Sequence, residues 1–115
     1  MHISSLERAK KIKPDMEGAK DIYKQVPLSR EEGAPNFSFR VFTIEPGGHT
    51  PLHRHANEHM NYIIEGKGNL VVQGKKYNVT KGDFALVLPG EEHQYSNASA
   101  DKPMVMICAV PKEYE

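Results

Sequence analysis

Histidines are concentrated in one stretch of the chain, residues 47–66, which reads GGHTPLHRHANEHMNYIIEG. Side chains two residues apart in an extended strand point to the same face, roughly 6.5–7 Å apart along the backbone. His53 and His55 can therefore both reach one metal ion if this segment is extended. After a bend near residues 56–57, His59 opens a second strand as a third ligand. His93, the only histidine further downstream, lies between turn signals and is the candidate for a fourth.

Two other interpretations of these histidines stay open from spacing alone. Histidine also occurs as a hydrogen-bonded core residue or as a surface residue, without any metal. A closed tetrahedral zinc site is the other alternative. Structural zinc sites more commonly include thiolates. Because the chain has a single cysteine, Cys108, its residue types favour an open site over a closed structural one.

The histidine-rich stretch resembles the first motif of the cupin superfamily. That motif is a glycine, five residues, His-x-His, three or four residues, a glutamate, six residues and a glycine. Gly47, His53, His55 and Gly66 match it. The departure is His59, which stands where most cupins have the glutamate.

A second cupin motif is similar to the segment around residue 90. It runs from a Gly-Asp turn through a Pro/Gly turn to a histidine, with an asparagine four residues later. The matching positions are Gly82, Asp83, Gly90, His93 and Asn97, while the proline, at position 89, comes one place later than usual.

The resemblance covers residues 20–110, and the stretch APNFSFRVFTIEPGG resembles small single-domain bacterial and archaeal cupins. In these, the four histidines matching His53, His55, His59 and His93 bind a divalent metal, which is manganese in one example. The resemblance implies an all-β fold, the double-stranded β-helix or jelly roll, and a homodimer. It also implies that Cys108 lies near the metal pocket, although its chemistry is that of a small buried hydrophobe.

Turn residues divide the chain into short segments with strand character. The expected strands are residues 21–28, 36–45, 69–73, 77–79, 84–88, 93–97 and 104–110, together with the histidine hairpin, and Glu45–Gly48 is expected to be a turn. Short strands at this spacing, with almost no helix signal, independently favour an antiparallel sandwich or barrel. We expect residues 20–115 to form this barrel domain. Residues 1–19 form an amino-terminal arm, either weakly helical or packed as an ordered arm on the barrel.

Arg40 is unusual in the expected strand at residues 36–45, because its charged side chain shares a face with the apolar Phe42 and Ile44. It could bind an anionic substrate in the pocket or form an ion pair at a dimer seam. Alternatively, the opposite face, with Phe37, is the buried one. We also name His49, as a rim residue, and Cys108 as candidates for substrate binding.

Four neutral imidazoles leave the full +2 charge on a divalent metal, so the site favours anionic or chelating oxygen ligands. Imidazole suits iron, zinc, nickel and copper. We expect one divalent transition metal, with manganese or iron favoured. No catalytic base is assigned, because His59 replaces the carboxylate of other cupins.

These features predict a metal-dependent, dioxygenase-like oxidoreductase that acts on a small oxygen-rich molecule. Two alternatives remain: a non-catalytic cupin that binds or senses a small molecule, and a metal-dependent isomerase or lyase acting on a sugar-like substrate. A purely structural clamp would unfold when its metal is chelated.

Composition limits the remaining function classes. The 115 residues include 15 basic and 15 acidic side chains, so the net charge of zero gives no reason to expect nucleic acid or an anionic membrane as a partner. No apolar run suits a signal peptide or a membrane span, which favours the cytoplasm. The single cysteine excludes an intramolecular disulfide and agrees with a reducing compartment.

Overall fold

Alternating apolar and polar residues give strands along most of the chain in the computed structural model, which describes residues 1–115. The eight strands are β1 (Lys20–Leu28), β2 (Phe37–His49), β3 (His59–Glu65), β4 (Lys67–Val72), β5 (Lys75–Thr80), β6 (Phe84–Val87), β7 (His93–Asn97) and β8 (Met104–Pro111). Two short 3₁₀ helices, Arg30–Glu32 and Lys112–Tyr114, are the only helical elements. No helix reaches the length and apolar character needed to cross a bilayer.

All eight strands belong to one antiparallel sheet that curls on itself. The order is β5-β4-β7-β2-β8-β3-β6, and β1 also pairs with β2. The long strand β2 connects the two halves, because its first part pairs with β8 and its last residue with β7. The curled sheet encloses a core, so the predicted double-stranded β-helix is confirmed.

The expected turn at Glu45–Gly48 is a bulge within β2. The strand continues to His49, while its register against β1 shifts between the pairs Lys20–His49 and Ile22–Ile44. Gly47 takes a φ of +81°, which a residue with a side chain rarely adopts. The bulge lets one strand serve both halves of the barrel and carries the chain towards the histidines.

The core side of β2 is the one that carries Arg40. Phe42 and Ile44, on the same face, are buried, whereas Phe37 and Phe39, on the other face, are largely exposed. The core contains twelve buried residues drawn from all eight strands, among them Ile63, Val87 and Met104. One end of the barrel interior is therefore apolar, and the polar site lies at the other.

The amino-terminal arm packs beside β1. Gln25 donates from Nε2 to the carbonyl oxygens of Leu6 and Ala9, at 2.6 and 3.0 Å, and Ile12 forms a β-bridge with Lys24. The weak helix considered for this segment does not form. The division between arm and barrel domain at residues 19 and 20 stays a prediction.

Candidate metal centre

Three histidines converge at one end of the barrel. His53 and His93 form an isolated β-bridge, with backbone hydrogen bonds of 3.1 and 2.9 Å in the two directions. His55 follows in the irregular loop after this bridge, so the two residues of the His-x-His pair do not share a regular strand. The ligand nitrogens of His53, His55 and His93 nevertheless lie within 4.8 Å of one another.

The nitrogens that face the centre are free to bind a metal. His55 donates from Nδ1 to the carbonyl oxygen of Asn57 at 2.7 Å, and His93 donates from Nδ1 to that of Glu91 at 2.9 Å. These bonds fix the tautomer and leave a lone pair on each Nε2. Both Nε2 atoms are buried and have no hydrogen-bond partner. Metal-binding histidines are oriented by the same kind of second hydrogen bond.

The spacing also suits one shared ion. A metal–imidazole bond is about 2.1 Å long, so two nitrogens on one ion are separated by at most about 4.2 Å. A separation of up to 4.8 Å requires only small side-chain movements to close. The three residues therefore fit a divalent metal in ligand type and in spacing, and His55 and His93 also fit it in orientation.

The surroundings keep the imidazoles neutral. Burial is the main cause that lowers the pKa of His53, His59 and His93, and the neighbouring histidines add to it. The pKa of His59 is lowered to about 3. Neutral imidazole is the form that binds metals, so these side chains are ready to do so at neutral pH.

His59 lies beside this group without joining it. Its ring centroid is 4.2 Å from that of His55 and 5.1 Å from that of His93. Its Nε2 faces Arg40, which approaches with Nη2 to 3.4 Å. One lone pair can accept this hydrogen bond or bind a metal, but it cannot do both. The structure thus groups three of the four predicted ligands, and a four-histidine site stays a prediction.

A cavity of about 310 Å³ opens next to the histidines. Its lining combines apolar side chains, neutral polar groups and one cation; the residues besides the histidines are Arg40, Phe42, Thr50, Asn57, Asn61, Tyr95, Met106, Cys108 and Tyr114. No aspartate or glutamate lines it. The cavity therefore favours an anionic or oxygen-rich ligand with an apolar body.

Arg40 points into this cavity, as one of the sequence interpretations expected. Its Nη2 lies 3.0 Å from Sγ of Cys108, and its Nη1 donates to the carbonyl oxygen of Tyr114 at 3.3 Å. The guanidinium also lies 5.2 Å from the centre of the Phe42 ring. Cys108 is fully buried on the cavity wall. The substrate-binding roles of both residues remain predictions.

His49 lies outside the cavity lining. It ends β2, where its Nδ1 is 3.1 Å from the carbonyl oxygen of Thr50 and 3.3 Å from Nε2 of Gln94. Both contacts involve Nδ1 alone, and the substrate-binding role of His49 stays a prediction.

Two residues that sequence reasoning did not single out complete the site. Tyr95 donates its hydroxyl proton to Oδ1 of Asn61 at 2.9 Å, and both side chains are buried. Asn61 follows His59 by two residues in β3, and Tyr95 follows His93 by two in β7. The alternation of side chains along a strand was the signal that could have placed them on the histidine face.

Comparison with known proteins agrees with this architecture. The family model of the cupin domain matches residues 40–110. The chain is 29% identical over 92 residues to the uncharacterized protein MJ1618 of Methanocaldococcus jannaschii, covering 79% of this chain and 66% of that protein. It is 35% identical over 63 residues to gentisate 1,2 dioxygenase 1 of Aquipseudomonas alcaligenes, covering 54% of this chain but only 18% of the dioxygenase.

Among solved structures, the polyketide cyclase RemF from Streptomyces resistomycificus superimposes with a TM-score of 0.91 at 26% identity. The match covers 97% of this chain and 80% of RemF. With the family model matching more than half of its residues and the curled antiparallel barrel in place, the chain belongs to the cupin family.

Proposed function

We propose that this protein is a metal-dependent enzyme acting on a small enolic or phenolic molecule, with dioxygenase-like oxidation as its reaction. The observation that carries the proposal is the pair of buried, unpartnered Nε2 atoms on His55 and His93, beside a cavity without carboxylates. The similarity to a gentisate dioxygenase supports the reaction type.

His53, His55 and His93 would hold one divalent metal, with His59 as the fourth ligand once Arg40 releases its nitrogen. The bound metal would supply Lewis acidity towards enolate or phenolate oxygens and, with manganese or iron, redox chemistry with dioxygen. Manganese or iron is our proposal for the native metal; zinc, nickel and copper also suit imidazole ligands.

The protein's own residues would bind and orient the substrate. Phe42 and Met106 offer apolar walls to its carbon skeleton and exclude water from it. Arg40 offers hydrogen bonds to an anionic oxygen. Since the cavity lining has no carboxylate that could act as a base, the substrate must be acidic enough to bind as its anion, which favours enols and phenols over sugars.

The test is oxygen uptake by protein reconstituted with iron or manganese, measured with a panel of enols, diketones and phenols. We expect uptake with at least one compound, together with its conversion. The His55→Ala variant should lose both, and Arg8→Gln, in the exposed arm, should keep both. No conversion of any compound with either metal would refute the dioxygenase.

A second candidate is ring closure of an enolisable polycarbonyl compound without oxygen. The superposition of 97% of the chain on a polyketide cyclase favours it. The same panel under argon distinguishes the two reactions, because an oxidation stops without oxygen whereas a cyclisation continues.

A further inference from the structure

We propose that Arg40 and Asn61 form a subsite for a carboxylate group, so that the substrate is an enolic or phenolic carboxylic acid. The inference rests on the proposed function, in which the enol or phenol oxygen lies at the histidine centre. It adds a second, charged attachment point on the same molecule.

The two residues lie in one row across three neighbouring strands. Arg40 of β2 is the register partner of Cys108 in β8, and Asn61 of β3 is the register partner of the same cysteine on its other side. All three side chains line the cavity. The row thus places a guanidinium and a carboxamide on either side of one small side chain.

Each of the two residues has a hydrogen-bond donor left over. Nε of Arg40 and Nδ2 of Asn61 are both buried and lack a partner within the protein. Asn61 is 3% exposed, so this donor belongs to an almost completely buried side chain. Buried donors are nearly always paired in folded proteins, and two unpaired donors on residues that line one cavity call for an acceptor-rich group between them.

A hydrogen bond from Tyr95 fixes the orientation of the Asn61 amide. Its Oδ1 accepts the hydroxyl proton of Tyr95 at 2.9 Å. A tyrosine hydroxyl is protonated at neutral pH and therefore donates this hydrogen bond. The NH₂ group of Asn61 therefore stays on the opposite side of the amide, where it is available to a ligand.

Charge selects a carboxylate over a neutral acceptor. Arg40 is the only lysine or arginine among the cavity residues, and no acidic side chain there neutralises it. The adjacent row towards the barrel interior consists of Phe42, Met106 and Ile63 and is apolar. One planar anion between two planar donors suits this site better than a phosphate, which would need more compensating charge.

The row is also close enough to the histidines to bind the same small molecule. Asn61 follows His59 by two residues on one face of β3, a distance of roughly 6.5–7 Å along the strand. A single aromatic acid or enol acid can therefore reach both places.

The test measures binding to zinc-loaded protein by titration calorimetry, since redox-inert zinc prevents turnover. The probes are 2,3- and 3,4-dihydroxybenzoate, each beside its uncharged benzamide of nearly the same size. We expect at least one acid to bind wild-type protein about tenfold or more tightly than its amide, as befits hydrogen bonds from a charged group.

Three variants test which residues cause the acid to bind more tightly than its amide. Arg40→Gln should reduce this preference to about twofold or less, because the guanidinium charge is removed. Asn61→Asp keeps the acceptor for Tyr95 but replaces the donor by a negative charge. This variant should abolish or reverse the preference for the acid. Arg8→Gln, which removes an arginine from the exposed arm, should leave it unchanged. Amide affinities should stay similar throughout, which a general loss of structure would not produce.

The outcomes separate this inference from the proposed function. If the amides bind but neither acid is preferred, or if the preference survives both cavity variants, the carboxylate subsite is refuted and the metal-dependent enzyme stands. If no probe binds the zinc-loaded protein, the subsite is refuted for these acids, and oxygen uptake with iron or manganese decides the proposed function separately. Should Asn61→Asp not fold, Arg40→Gln still decides whether the charge selects the acid.

Discussion

Lowering the pH of the metal-free protein should reduce its stability through His59. Burial, together with the nearby His55 and Arg40, lowers the pKa of this imidazole to about 3, whereas an unfolded histidine has a pKa of 6.5. Between these values the unfolded chain binds a proton that the folded chain does not. Acid therefore favours unfolding, and the contribution of His59 is lost as the pH falls below about 6.5.

The magnitude follows from the distance between the two pKa values. A pH of about 5 is about 1.5 units below the pKa of the unfolded imidazole, and each unit corresponds to about 1.4 kcal/mol. The folded imidazole is still neutral there. We therefore expect His59 alone to remove about 2 kcal/mol from the free energy of unfolding between about pH 7 and about pH 5.

The assay is urea unfolding at both pH values, in the presence of a chelator, for wild type and His59→Gln. Glutamine does not titrate, and its amide oxygen can still accept a hydrogen bond from Arg40. The variant should lose about 2 kcal/mol less than wild type over this pH interval. His2→Gln, which replaces an exposed histidine of the arm, is the matched control. Equal losses in wild type and His59→Gln would show that this imidazole is not held neutral by the fold.

Three further outcomes are expected. Tyr95→Phe should lower the free energy of unfolding by about 1–3 kcal/mol, because Oδ1 of Asn61 loses its partner in the core. Urea unfolding checks this against Tyr77→Phe on an exposed tyrosine, and similar losses in the two variants would contradict it. Metal removal should lower the melting temperature while far-ultraviolet circular dichroism persists, since eight of the twelve core residues lie outside the cavity lining; unfolding on chelation would identify a structural clamp. Phe84 and Leu86 are 82% and 59% exposed on the outer face of β6, and we expect this apolar face to pair two copies of the chain. Phe84→Glu should then halve the mass measured by sedimentation equilibrium, and a monomeric wild type would refute the pairing.

The strands could be predicted from sequence because their signals are local. Turn residues and alternating side chains mark most of the eight strands, and the two histidine motifs point to the barrel. The sequence predicts a turn where the structure has the bulge at Gly47, because Pro-Gly-Gly is equally suited to a turn and to a bulge. Only pairing with β1, a long-range contact, decides between them.

The sequence predicts the candidate metal ligands better than it predicts the contacts that surround them. The interval between His53 and His55 indicated a shared ion, although the regular strand assumed for them is an isolated bridge followed by a loop. The contact between His59 and Arg40 depends on how β2, β8 and β3 align. That register joins residues far apart in sequence, and no local pattern reports it.

The contact between Asn61 and Tyr95 is another one that no local sequence pattern reports. Each lies two residues after a predicted ligand, so alternation alone places it on the histidine face. Their hydrogen bond, and the donor it leaves free in the cavity, require β3 and β7 to face each other across the barrel.

We expect His53, His55 and His93 together to bind one divalent metal. The most direct measurement is the metal content of untagged protein, prepared without added metal, beside His55→Ala, His93→Ala and the control His49→Ala. We expect about one equivalent in wild type and in His49→Ala, and almost none in the other two. Wild-type protein that holds no metal even after reconstitution, or a His55→Ala variant that keeps its full equivalent, would contradict it.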